Sequence, residues 1–151
     1  IVPLEVIVRN KAAGSFSKRF GVPEGTAFKA PTLEYCLKDD ALGDPMINDS
    51  QIIAIGAATK EELDTIAKYT MKINEVMVAF FKECKVDLID FKIEFGRLPD
   101  GTIILADEIS PDTCRFWDVD TQEKLDKDRF RRDLGGVEEA YQELMKRVMG
   151  E

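Results

Sequence analysis

Between Asp87 and Asp112 the chain reads DLIDFKIEFGRLPDGTIILADEISPD, with carboxylates gathered around a single lysine. Asp90, Lys92 and Glu94 alternate with Ile89, Phe91, Ile93 and Phe95. A period of two places the charged trio on one face of a strand and the apolar residues on the other. Carboxylate oxygens suit a hard divalent cation, and an ammonium among them suits a phosphate. Asp107, Glu108, Asp112 and Arg115 add charge just past a second apolar run, Ile103 to Ala106. Asp107 and Glu108 are adjacent, so only one of them shares the face of Glu94, and the sequence leaves open which. A solvated strand face with a cross-strand ion pair is the ordinary alternative for such a row.

A second group of chemically capable residues lies near the start. Arg9, Asn10 and Lys11 precede AAGSFSKR, so four cations fall within eleven residues, among small residues and two hydroxyls. Small residues admit a ligand close to the backbone, and the cations and hydroxyls suit a phosphate or carboxylate. The spacing is not that of a P-loop. A basic loop balancing an acidic protein is the competing account. Lys38-Asp39-Asp40 and Gly43-Asp44-Pro45 make a turn-rich segment, either a flap or a polar connection. Arg129, Arg131 and Arg132 offer another anion contact or a solvated helix face.

Composition removes several chemistries. The 151 residues contain no histidine, which excludes histidine bases and most zinc sites. Cys36, Cys84 and Cys114 are widely spaced, with no CxxC, and read as reduced thiols of a cytoplasmic protein. A net charge of −8 argues against nucleic acid as a partner. No apolar run approaches membrane-spanning length. The chain starts at Ile1 inside a strand-like run, IVPLEVIV, and is expected to be a piece of something longer.

The elements that must position these residues follow from periodicity and caps. Residues 1–9 read as a strand, 20–31 as a loop, and Thr32 to Lys38 as a short strand. Asp49 or Ser50 caps a short helix through Ala54. Thr59 and Glu62 form a capping box that opens a helix to about Cys84. Its stripe is Leu63, Ile66, Ala67, Thr70, Ile73, Met77, Phe80 and Phe81. That helix is expected to cover the Ile89, Phe91, Ile93 and Phe95 face, leaving Asp90, Lys92 and Glu94 open. Pro99-Asp100-Gly101 turns the chain between the two apolar runs. Cys114 to Trp117 reads as an apolar link, followed by helices over Asp126–Arg132 and Val137–Val148.

VPLEVIVRNKAAGSFSKR, LIDFKIEFG, LADEISPDTCRFWD and DKDRFRRDLGG, in that order, closely resemble the SAICAR synthase family of purine biosynthesis. The resemblance covers nearly the whole chain and lacks the family's N-terminal lobe. It implies an α+β fold, an antiparallel sheet with helices on one side and C-terminal helices, sharing a nucleotide cleft similar to kinases and ATP-grasp enzymes. Residues 1–116 are expected to form the nucleotide- and substrate-binding lobe, and 117–151 a helical extension packed on it. The resemblance further implies an ATP-dependent ligase joining L-aspartate to carboxyaminoimidazole ribonucleotide through an acyl phosphate. It picks Glu94 and Asp107 as Mg2+ ligands, Lys92 as a phosphate contact and Lys38 as an ATP contact. Arg9 and Ser15, with Lys18 and Arg19 nearby, match the holders of the ribonucleotide phosphate. Asp90, Asp112 and Arg115 match the ring and carboxylate end. A homodimer is expected of the whole protein, and the 151 residues alone are expected to be inactive and to pair or aggregate. Another ATP-dependent ligase, a small-molecule kinase, or an acidic metal- or protein-binding module are the rival functions.

Overall fold

The computed structural model describes residues 1–106, 113–126 and 136–149. Five antiparallel strands form the main sheet, in the order β3-β2-β1-β4-β7. They are β1 (Leu4–Lys11), β2 (Ala27–Leu37), β3 (Met46–Ile47), β4 (Val86–Ile93) and β7 (Cys114–Asp118). Two short strands, β5 (Phe95–Arg97) and β6 (Ile103–Leu105), pair separately. The helices are α1 (Gly14–Phe20), α2 (Asp49–Ala54), α3 (Lys60–Glu83) and α4 (Val137–Met149).

One face of the sheet is apolar. Leu4, Val6 and Val8 of β1, Phe91 and Ile93 of β4, and Cys114 and Phe116 of β7 share a single core with Leu63 and Ile66 of α3, Ile52 of α2 and Ala140 and Leu144 of α4. The Phe81 and Phe116 rings lie 4.5 Å apart, fastening α3 to β7. This is the expected α+β arrangement, with α2, α3 and α4 on the covered face. The capping box of α3 is present: Thr59 accepts from the Glu62 N–H, and Glu62 reaches back to the Thr59 N–H. α2 is capped by Asn48, one residue before the expected cap, with Gln51 completing the box. Arg147 clasps α4 to the sheet, pairing with Asp118 at 2.7 Å and donating to the Lys85 carbonyl at 3.0 Å. The Asp118 carboxyl is lowered to about 2, chiefly by the Thr121 backbone N–H and then by Arg147.

Several expectations are corrected. Cys114–Trp117 is not a link but most of β7, paired along β4. Its alternation sends Cys114 and Phe116 into the core. The boundary expected after residue 116 therefore falls inside a strand. β2 starts at Ala27, earlier than expected, because the strand tolerates Pro31 where its register with β1 slips between Arg9 and Lys11. AAGSFSKR is not a loop: Gly14–Phe20 is helical. The Pro99-Asp100-Gly101 turn is present, with Gly101 at φ +89° donating its N–H to Leu98 O. Its hairpin joins β5 and β6 rather than extending β4. The helix expected over Asp126–Arg132, apart from Asp126 itself, lies outside the described residues.

The largest correction concerns β4. Leu88 pairs with Phe116 and Asp90 with Arg115, so Ile89 is an extra residue against β7. This β-bulge breaks the period of two. Leu88 and Phe91 point into the main core, whereas Ile89 packs on the opposite side with Ala13 and Trp117.

Candidate functional site

The face of the sheet away from the core carries the charge. Registers place Arg9 of β1 between Thr32 of β2 and Asp90 of β4, with Arg115 of β7 beyond Asp90. One step along, Ile7 lies between Glu34 and Lys92, and Glu5 lies opposite Cys36. These are the even positions of strands whose odd positions fill the core, or the reverse, so one alternation builds both faces.

Arg9 is the hub of one cluster. Its Nε donates to Glu34 Oε2 at 2.5 Å, one Nη to Asp90 Oδ2 at 3.3 Å and to the Ala13 carbonyl at 3.2 Å, and the other Nη to Ser15 Oγ at 3.0 Å. Arg115 grips Asp90 from the other side, with its Nη1 3.2 and 3.0 Å from the two carboxylate oxygens. Arg19 reaches Glu34 at 2.9 Å. Three guanidiniums, those of Arg9, Arg19 and Arg115, are thus gathered around the Asp90 and Glu34 carboxylates. The Asp90 and Arg9 side chains are almost wholly buried, at 6% and 5% exposure, which strengthens every charge interaction there. The expectation that Asp90 lies open is corrected: the two arginines cover it.

Gly14 brings α1 into this cluster. It has φ +53°, and a Cβ there would collide with the Arg115 guanidinium. Glycine is what lets the first turn of α1 pass over Arg115. Ser15 then stands exposed at the rim, and Lys18 is exposed further along the helix.

A second cluster occupies the other end of the same face. Lys38 Nζ donates to Glu94 Oε2 at 2.7 Å, and Lys92 Nζ to Glu5 Oε1 at 3.2 Å. Glu94 follows the last residue of β4, and its carbonyl accepts from the Ala106 N–H at 2.9 Å. The break between β4 and β5 therefore sets where the carboxylate points. Asp90 and Lys92 share a face two residues apart, about 7 Å along the strand, so the clusters adjoin. Cys36 lies among them, its thiol pushed up by burial first and then by Glu5 and Glu34.

Of the expected site residues, Arg9, Ser15, Asp90 and Arg115 converge, and Arg19 joins through Glu34. Lys38, Lys92 and Glu94 form the adjoining group. Lys18 is exposed and makes no hydrogen bond or ion pair to the described residues of either cluster. Asp107 and Asp112 lie outside the described residues, as do Arg129, Arg131 and Arg132. Among the described residues no group of three or more His, Cys, Asp or Glu is placed to hold a metal. Glu94 offers one hard oxygen ligand whose partner must come from elsewhere. Glu5 and Glu34 were not anticipated. The signal for Glu34 was available, since it interrupts Leu33 and Tyr35 with the strand period.

Comparisons with known proteins agree along the whole length. Residues 1–148 match the family described as SAICAR synthetase. A phosphoribosylaminoimidazole-succinocarboxamide synthase of Lachnoclostridium phytofermentans is 64% identical over 148 residues, 98% of this chain and 63% of that protein. The Deinococcus radiodurans synthase is 61% identical over 151 residues, 100% of this chain and 64% of that protein. Among solved structures, the Ehrlichia chaffeensis synthase superposes with a TM-score of 0.95 at 46% identity, covering 98% of this chain and 64% of that one. A SAICAR synthetase in complex with ADP gives 0.95 at 47% identity, covering 99% and 64%. The chain thus spans just under two thirds of the relatives it matches.

Proposed function

The chain belongs to the SAICAR synthetase family, and from that premise we propose that it carries the ribonucleotide site and one wall of the ATP site of a ligase. The whole protein joins the amine of L-aspartate to the carboxylate of carboxyaminoimidazole ribonucleotide, with ATP supplying the driving force through an acyl phosphate. The observation that carries this reading is the convergence of Arg9, Ser15 and Arg115 from β1, α1 and β7 around buried Asp90. Such a cluster is made to take an anion and to hold its ring in one orientation.

Arg9 and Ser15 hold the ribonucleotide phosphate, with Arg19 and Lys18 at the rim. Asp90, Arg115 and Asp112 orient the ring and carboxylate end. Lys92 lies one strand step from Asp90, at the reach of a phosphoryl group moving onto that carboxylate. There it offsets charge without needing a strong base. Lys38 contacts the nucleotide. The Glu94 carboxylate, held by Lys38, fits one ligand position of a magnesium ion, with Asp107 as its partner. When bound, the metal offsets charge shared between phosphate oxygens. The lobe of residues 1–116, carried on to the end of β7, holds both subsites, and the extension that follows packs on it. The protein acts in the cytoplasm as a homodimer; no helix among the described residues is long and apolar enough to cross a membrane.

The experiment is ADP release by the whole protein with magnesium. Release that requires both L-aspartate and the ribonucleotide is the expected result. Release that proceeds equally without aspartate would replace the ligase by a kinase.

A further inference from the structure

Asn74 lies in the middle of α3, buried among the apolar residues that face the sheet, and no apolar stripe accounts for it. Its side chain makes a reciprocal amide pair with Asn10 of β1, sixty-four residues away. Asn10 Nδ2 donates to Asn74 Oδ1 at 2.9 Å, and Asn74 Nδ2 donates to Asn10 Oδ1 at 3.0 Å. Asn10 Nδ2 also donates to the Leu88 carbonyl at 3.2 Å. Leu88 is the residue at which the β4 bulge begins, and Asp90 is the residue at which it ends.

From this geometry we infer that Asn74 is a positioning residue for the anion site, acting through Asn10 on the bulge that sets Asp90 opposite Arg115. The inference rests on the ribonucleotide reading above. The Leu88 carbonyl sets which way the Asn10 amide faces, and the reciprocal pair with Asn74 holds the amide there. With Asn74 present, the Asn10 NH2 group points at the Leu88 carbonyl. With the amide turned over, two carbonyl oxygens would face each other in the interior. The bulge turns Ile89 to the outer face beside Asp90 and sets Asp90 opposite Arg115 of β7. Without it, the period of two would set Ile89 on the face of Phe91, in the core, where it does not belong. Sliding the bulge by one residue would take Asp90 away from Arg115.

A purely stabilising role explains the pair poorly. Buried amides recover their lost hydration only when every partner is in place, and an apolar pair of similar shape would serve packing as well. Groups of this kind are best understood where they select one register among several. Here the selected register is the one that sets Asp90 opposite Arg115.

The test is the affinity of the whole protein for the ribonucleotide and for ADP, measured by calorimetry, in Asn74→Leu. We expect ribonucleotide affinity to fall at least tenfold and ADP affinity to change less than twofold. In an Asp90→Asn background the same change should cost less than twofold, because the group being positioned is already altered. Ile66→Val, on the same face of α3, should lower the melting temperature without touching ribonucleotide affinity. Asn74→Ser serves if Asn74→Leu does not fold. Full ribonucleotide affinity in a folded Asn74 variant would overturn the inference. So would an equal loss in the Asp90→Asn background, or an equal loss from Ile66→Val. If the unaltered protein bound no ribonucleotide, the functional reading would fail on its own. The positioning role would then be judged by a crystal structure of the Asn74 variant: Asp90 still between Arg9 and Arg115 would end it.

Discussion

Replacing Asp90 by asparagine removes one negative charge from a buried cluster and almost nothing else, which makes it a clean probe of the site. Asp90 sits between Arg9 at 3.3 Å and Arg115 at 3.0 Å. Removing one member of a buried ion pair costs roughly 3–5 kcal/mol, mainly because the remaining charge stays buried. Two features reduce that figure. Asparagine keeps one oxygen to accept from a guanidinium, which recovers about 1 kcal/mol. Arg9 also keeps Glu34 at 2.5 Å. The expected loss is therefore about 2–3 kcal/mol, or roughly 5–10 °C in the melting temperature of a protein of this size. Thermal unfolding of the whole protein reads it, with Lys60→Ala as the control. Lys60 and Asp64 are an exposed i,i+4 pair, with both side chains more than two-thirds exposed, and pairs of that kind contribute about 0.3–0.5 kcal/mol. The deficit should shrink when phosphate or the ribonucleotide is added, since an anion offsets the extra positive charge. A melting temperature within about 2 °C of the parent, with no dependence on phosphate, would show that Asp90 does not offset the charge of Arg9 and Arg115.

Gly14→Ala should destabilise the protein by at least 1 kcal/mol and weaken ribonucleotide binding with it, because the new Cβ strains a left-handed residue and displaces Arg115. Unchanged calorimetric affinity would separate α1 from the site. Glu94→Gln should lower turnover by about a hundredfold while leaving the melting temperature nearly unmoved, since it weakens the site's hold on developing charge. Glu62 provides a pH test: the hydrogen bond from Arg97, aided by the Thr59 backbone N–H, lowers its carboxyl from 4.5 to about 2. A depressed folded-state value means stability that is complete above about pH 4.5 and lost as pH falls toward 2. Glu62→Gln should flatten that acid limb in pH-dependent unfolding, and an unchanged limb would refute the pairing.

The parts of the fold that could be read from sequence are those whose signals are local. α3 is legible because its cap, Thr59 with Glu62, and its apolar stripe lie within one continuous segment. The Pro99-Asp100-Gly101 turn is legible because its residue types meet a backbone requirement on the spot. α1 is not, because Gly14 and two serines are poor helix formers whose placement is decided by what lies beneath them, here Arg115. β7 is not, because five residues, CRFWD, are too short for their alternation to stand out from an apolar connection. Its pairing with β4 is what makes it a strand.

The bulge marks the limit of period-two reasoning in the site itself. Counting by twos from Phe91 assigns Ile89 to the core and Asp90 to the open face. The structure instead puts Ile89 against Ala13 and Trp117 and buries Asp90 under two arginines. What shifts the count is a carbonyl at Leu88 held by an asparagine of β1, itself held by an asparagine of α3. The two asparagines are sixty-four residues apart, and each reads singly as an ordinary polar residue. The residue types that do the chemistry are thus visible in sequence. The geometry that brings Asp90 between Arg9 and Arg115 is set by hydrogen bonds between elements, and it becomes legible only once the strands are paired.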